Sequence, residues 1–155
     1  MTCAYENPAE LGADRWAALL GAHALYPGDV CIIDCGTAVT VDVITASGQH
    51  LGGAITLGLG TMRGALDRDT HQLTDKPAAA EVLARSTASG IQGGTLLGLA
   101  GAVDRLVDEA ERLSGLRLDC VITGGDGPAL KDLLRRGSVL QPHLVLHGLL
   151  IGLSE

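Results

Sequence analysis

Residues 30–40 read Val-Cys-Ile-Ile-Asp-Cys-Gly-Thr-Ala-Val-Thr, an apolar run that ends in a carboxylate and opens at once into a Gly-Thr turn. A short run of this kind, bounded by a glycine turn, predicts a buried strand that carries Asp34 rigidly to its end. Gly36 lets the backbone approach a ligand closely, and Thr37 offers a hydroxyl and an amide to an anion such as phosphate. Two more strand patterns follow with no helix between them: residues 39–45, which alternate, and residues 51–56 after the turn Ser47-Gly48-Gln49. Together they predict a three-stranded meander. A second glycine turn, Thr123-Gly124-Gly125-Asp126, closes another apolar run at residues 118–122, so two strand-to-glycine ends are suited to one phosphate-bearing ligand.

Helical spacing surrounds these strands. After the turn Asn7-Pro8-Ala9-Glu10, residues 14–25 place Trp16, Leu19, Leu20 and His23 on a helical stripe that Pro27-Gly28-Asp29 ends. Residues 58–73 return to that period, residues 74–77 read as a solvent loop, and residues 87–113 predict the longest helix. Its second half is amphipathic; its first half carries Gly90, Gly93, Gly94, Gly98 and Gly101. Each glycine costs about 1 kcal/mol relative to alanine, so close approach of another helix or a ligand is expected to offset them. Residues 118–123 then predict a strand, 128–136 a short helix, 144–146 a strand and 148–155 a terminal helix. From Val30 the order is βββαα followed by βαβα.

A chain of 155 residues can bury roughly 70% of its unfolded surface in one domain core. Eighteen acidic against eleven basic residues give a net charge of −7 with no dense Lys/Arg block, which argues against nucleic acid and anionic membrane as partners. One Trp, two Tyr and no Phe leave no stacking platform for single strands. Cys3, Cys31, Cys35 and Cys120 form no Cys-x-x-Cys pair and read as free, mostly buried thiols, in keeping with a reducing, cytoplasmic location. The longest uncharged stretch, residues 87–103, holds Ser, Thr, Gln and five glycines, so neither a signal peptide nor a membrane span is expected.

Taken jointly, Asp-Cys-Gly-Thr-Ala-Val-Thr-Val-Asp at 34–42, Leu-Gly-Gly-Ala-Ile at 51–55, Gly58-Leu59 and the Thr-Gly-Gly-Asp turn resemble the type III pantothenate kinases. Tyr5 followed by Gly12-Ala13-Asp14-Arg15-Trp16, Ser86-Thr87 before the glycine-rich helix, and residues 144–149 extend the resemblance nearly end to end. It implies an α/β chain of the actin-like ATPase (acetate kinase, sugar kinase and Hsp70-like) fold. The expected division is a βββαβαβα-type, ribonuclease-H-like half at 29–155, preceded by a remnant of the other half and a substrate-binding linker helix at 1–28. Members of the family phosphorylate the 4′-hydroxyl of pantothenate with ATP, the first step of coenzyme A synthesis, and are homodimers. They open with an Asp-x-Gly-Asn-Thr phosphate loop. No such loop stands in this chain, so it is expected to match the C-terminal part of the family and, if no such loop is encoded in frame ahead of Met1, to transfer no phosphate unaided.

The resemblance also assigns roles. It implies Asp14 as the proton acceptor, with Asp34 as the competing candidate, and pantothenate held by Tyr5, Gly12, Ala13, Asp14, Arg15 and Thr87. It implies that Gly36, Thr37, Gly124 and Gly125 face ATP and that Asp34 binds a monovalent cation, K⁺ or NH₄⁺. Mg²⁺ would come with ATP, held mainly by phosphate oxygens and water. Asp126 reads either as part of the adenosine-side turn or as a helix cap, while the strand expected at 144–146 would hold His143 and His147 ~13 Å apart, too far for a metal pair. The other reading of the same resemblance is a noncatalytic accessory regulator of transcription.

Overall fold

The structure, a computed structural model, describes residues 1–69 and 76–154. Its centre is strand β1 (Val30–Cys35), which pairs antiparallel with β2 (Ala38–Ile44). β2 pairs in turn with β3 (His50–Leu57), completing the expected meander. On the other side of β1, β4 (Asp119–Thr123) and β5 (Ser138–Leu140) join in parallel, giving a five-stranded sheet of order β3-β2-β1-β4-β5.

Helices cover both faces. Strand alternation sends Cys31, Ile33 and Cys35 of β1, and Val39, Val41 and Val43 of β2, to one face. There they pack on Leu99, Val103 and Val107 of α3 (Thr87–Ser114) and on Leu59, the first residue of α2 (Leu59–Asp69). Val30, Ile32 and Ile44 turn the other way, onto Ala18, Leu19 and Ala22 of α1 (Ala13–Leu25) and Leu144 of α5 (Leu144–Gly152). A short α4 (Gly127–Lys131) sits between β4 and β5 in the chain. Helices α1 and α5 cross closely: a Cβ on Gly148 would stand 1.7 Å from the Ala17 carbonyl oxygen, so only glycine fits.

Four expectations change. Residues 144–146 are helix, not strand, because a continuous Leu-Val-Leu run has no period to separate the two; the strand is at 138–140 instead. His143 and His147 are consequently one helical turn apart, with the His147 amide donating to the His143 carbonyl at 3.0 Å. The helix expected over 128–136 stops at Lys131. The buried face of α1 is Arg15, Ala18, Leu19 and Ala22, while Trp16, Leu20 and His23 stay half-buried, because the helix is clamped between sheet and α5 through its small residues.

The helix expected over 58–73 runs at least from Leu59 to Asp69; positions 70–73, and 74–75 of the expected loop, lie outside the described residues. Along α3, Gly93 lies against the backbone of Glu81, whereas Gly94, Gly98 and Gly101 have no described neighbour within 4 Å of where a Cβ would point.

Candidate active site

Because β1 and β4 are parallel, with Asp34 opposite Thr123, the two glycine turns leave the same end of the sheet together. That end is where open α/β sheets bind ligands. The turns are tied to each other: the Asp126 amide donates to the Cys35 carbonyl at 3.0 Å, and Gly124, at φ +86°, leaves 2.5 Å between a would-be Cβ and that same oxygen. The Gly36-Thr37 turn is held from the other side by the start of α2, where the Gly58 amide and the Thr61 hydroxyl both donate to the Thr37 carbonyl, at 3.0 and 2.7 Å. Cys35, Gly36, Thr37, Gly60, Thr61, Gly125 and Asp126 line one open cleft of about 390 Å³. Asp126 stands at the N-cap position of α4 without capping it through its side chain.

Asp34 points to the α1 face, by parity with Val30 and Ile32. Its half-buried carboxylate makes no hydrogen bond or ion pair with any described residue. Burial pushes its pKa above the ordinary value, and the negative charges of Asp14 and Asp42 push it further. Asp34 is therefore a half-buried carboxylate without a counterion among the described residues. Burial likewise raises the neighbouring Cys35 thiol to about 12, which leaves it unreactive.

The second group is built on the start of α1. Gly12 is the N-cap, Ala13 and Asp14 open the first turn, and the exposed Asp14 carboxylate accepts from the Arg15 amide at 2.8 Å. Arg15 turns inward and is buried. Its Nε and Nη2 donate to the two oxygens of Asp42 at 2.8 and 2.6 Å, and Nη1 donates to the Tyr5 hydroxyl at 2.7 Å. The guanidinium carbon also lies 5.5 Å from the centre of the Tyr5 ring. These bonds hold the Arg15 pKa above its ordinary value despite burial.

Asp42 has a second partner, His50, with Nε2 3.1 Å from Oδ1; on the far side of the imidazole, Nδ1 is 3.9 Å from the Cys3 sulfur. Burial alone would raise the Asp42 pKa, but the hydrogen bonds from His50 and Arg15 outweigh it and hold the carboxyl below its usual range. For His50, burial would lower the pKa, and the bond to Asp42, seconded by Cys3, carries it above its ordinary value.

Neither Asp42 nor His50 stood out in the sequence as a site residue. The alternation Val39-Val41-Val43 marks Asp42 as solvent-facing on a one-sided sheet, yet α1 covers that face and leaves Asp42 2% exposed. The available signal was a charged residue at the centre of an otherwise apolar strand. Thr61 was missed because nothing local links it to the turn at 37.

Tyr5, Gly12, Ala13, Asp14 and Arg15 thus share one locus, and Asp34, Gly36, Thr37, Gly124 and Gly125 share another at the adjoining strand ends. Thr87 joins neither within the chain. It is exposed one residue after the N-cap Ser86, lining a groove between α2 and α3 with Met62, Leu66, Gly90, Ile91 and Thr95. Among the described residues, no group of three or more His, Cys, Asp or Glu is arranged to hold a metal, and no helix is long and apolar enough to cross a membrane.

Comparison with known proteins gives the family and the fold. A relative from Halorhodospira halophila, named type III pantothenate kinase, is 45% identical over 151 residues, which is 97% of this chain and 59% of that protein. Another of that name, from Aromatoleum aromaticum, is 42% identical over 97% of this chain and 62% of its own length. The chain therefore spans about six-tenths of the length of the curated relatives it matches. Among solved structures, a Campylobacter jejuni protein assigned to the Baf family of transcriptional activators superposes with a TM-score of 0.69 at 21% identity, covering 95% of this chain and 65% of that one. A PilM-PilN type IV pilus biogenesis complex superposes at 0.55 with 15% identity, covering 83% of this chain and 41% of its own. These likenesses show the actin-like ATPase fold. The family model described as type III pantothenate kinase matches residues 1–109, and with the identities above it shows that the chain belongs to the type III pantothenate kinase family.

Proposed function

We propose that this chain supplies the acceptor side and one phosphate-binding side of an ATP-dependent pantothenate kinase, which converts pantothenate to 4′-phosphopantothenate at the start of coenzyme A synthesis. The observation that carries the reading is the placement of the Asp14-Arg15 helix start and the paired glycine turns around Asp34, whose carboxylate has no partner among the described residues. In this reading the 4′-hydroxyl oxygen attacks the γ-phosphorus of ATP, the bond to the β-phosphate oxygen breaks, and the hydroxyl proton passes to Asp14. The exposed Asp14 carboxylate, at the positive end of α1, can accept that proton. Arg15 and Tyr5, with the Gly12-Ala13 backbone, hold pantothenate, while Thr87, set apart in the α2–α3 groove, makes no contact with them within the chain. Gly36, Thr37, Gly124 and Gly125 face the nucleotide, where backbone amides and a small hydroxyl suit phosphate.

The donor set fits a monovalent cation at Asp34, since a half-buried carboxylate without a hydrogen bond is relieved by a positive charge. When bound, K⁺ or NH₄⁺ and the Mg²⁺ of the nucleotide would offset phosphate charge. In this reading the protein works in the cytoplasm, as an enzyme on soluble metabolites. Two copies pair through the α3 face carrying Gly94, Gly98 and Gly101, where no described residue lies within 4 Å of the point a Cβ would reach. Replacing Gly94 and Gly98 with Leu is expected to shift a dimer to monomer in a sizing experiment; an unchanged elution volume would count against that interface.

The direct test of the site is binding. Titrating pantothenate into isotopically labelled protein is expected to shift the amide signals of Tyr5, Gly12, Asp14 and Arg15, and ATP those of Gly36, Thr37, Gly124 and Gly125. Shifts confined to other surfaces would refute the assignment.

A further inference from the structure

The Arg15 guanidinium does more than reach the site; it is held from behind. Of its five N–H donors, two go to Asp42 and one to the Tyr5 hydroxyl, leaving one N–H on each terminal nitrogen for a ligand. Asp42 is 2% exposed and His50 1%, so this support is out of reach of water. The Thr2 carbonyl accepts from the His50 amide at 2.9 Å, and the Tyr5 and His50 rings stack with centroids 6.0 Å apart. The N-terminal segment, α1, β2 and β3 therefore meet at one buried chain of groups.

We infer that Asp42 and His50 are positioning residues, which fix the plane of the Arg15 guanidinium and set the net charge with which this locus meets an anionic group of the substrate. The inference rests on reading Arg15 and Tyr5 as substrate-binding. Its electrostatics follow from counting. Arg15 and Asp42 cancel, so the Arg15–Asp42–His50 cluster, beside the negative charge of Asp14, carries one positive charge while His50 is protonated and none once it is neutral. The titratable groups around the imidazole are Cys3 at Nδ1, Tyr5 against its face, Asp42 at Nε2 and, through Asp42, Arg15. Asp34 on β1 shares the field of Asp42. A neutral His50 can still donate to Asp42 through Nε2. Loss of its proton therefore removes charge without undoing the scaffold, and affinity for a carboxylate ligand falls as pH rises through the His50 titration.

The test uses the whole chain, pantothenate as the probe, and two variants followed by NMR of the amides and the Arg15 Nε–H. In Asp42→Asn the amide spectrum is expected to stay folded while the Arg15 Nε–H loses its protection from exchange and pantothenate binds about tenfold more weakly, the effect of losing one charged hydrogen bond. In His50→Gln, which keeps a donor for Asp42 but cannot titrate, affinity is expected to be flat over the pH range in which the wild type weakens. A merely structural role would not abolish that pH dependence. An Arg15 Nε–H that stays protected in Asp42→Asn, or a His50→Gln variant that keeps the wild-type pH profile, overturns the inference. If Asp42→Asn does not fold, His50→Gln alone decides. If wild type binds no pantothenate while Asp42→Asn still frees Arg15, the ordering of Arg15 stands and the substrate reading fails.

Discussion

Asp34 and Thr123 are register partners in the parallel pair β1–β4, so the turns that follow them, Cys35-Gly36-Thr37 and Gly124-Gly125-Asp126, leave the sheet side by side. Neither turn grips a phosphate convincingly alone. Their adjacency is a property of the sheet rather than of loop flexibility, which leaves little ordering to be done when a ligand arrives.

Gly124 is the most sensitive point of that arrangement. An alanine there would have to hold φ near +86° with its Cβ 2.5 Å from the Cys35 carbonyl oxygen. Gly124→Ala is expected to lower stability by about 2 kcal/mol, from the backbone conformation and the forced shift of Cys35. ATP binding should weaken at the same time. Urea unfolding and a nucleotide titration check both; unchanged stability would mean that the turn tolerates a side chain.

Asp34 gives a prediction of opposite sign. Its folded-state pKa is raised, so its contribution to stability is present below the unfolded carboxylate value and is lost as pH rises through the folded value. Asp34→Asn removes that loss. The variant is expected to melt above wild type at neutral pH, to lose that advantage in acid, and to respond less to added K⁺. A variant less stable than wild type at neutral pH would show that Asp34 serves the fold rather than a cation.

How much of this was readable beforehand depended on whether the signal was local. Asp34, Gly36 and Gly124 were legible because an apolar run ending in a glycine turn lies within a few consecutive residues. The meander was legible for the same reason. Asp42 and His50 were not, since their meaning comes from α1 closing over Asp42 and from the N-terminal segment, through Thr2, Cys3 and Tyr5, closing over His50. β5 was missed because Ser-Val-Leu is too short to carry a period, and the apolar Leu-Val-Leu six residues later took its place.

The buried pair Arg15–Asp42 is expected to be costly to break. Asp42→Leu leaves the Arg15 charge buried without its counterion, and the expected loss is about 3 kcal/mol by chemical denaturation. The pH dependence has two limbs. Asp42, with a lowered folded pKa, contributes stability that is lost as pH falls through that value; His50, with a raised one, contributes stability that is lost as pH rises through its own. Thermal melts across pH should therefore show wild type losing its margin over His50→Gln on the alkaline side. A margin independent of pH would contradict the pairing of His50 with Asp42.

The crossing of α1 and α5 has no room for a methyl at Gly148. Gly148→Ala is expected to cost about 1–3 kcal/mol, the usual range for overpacking, even though alanine is the better helix former. A stabilised variant, as propensity alone would give, would mean that the helices cross farther apart.

The central claim is that Asp14 and the paired glycine turns belong to one pantothenate kinase site. It is tested most directly by giving this chain the segment that longer relatives possess. In a chimera, the 151-residue match would replace its counterpart in the Halorhodospira halophila relative, and transfer of γ-phosphate from ATP to pantothenate would be measured. The account predicts turnover by the chimera and its loss, with folding and pantothenate binding retained, in Asp14→Asn. A folded chimera that binds ATP but transfers no phosphate, or an Asp14→Asn chimera as fast as its parent, would contradict it.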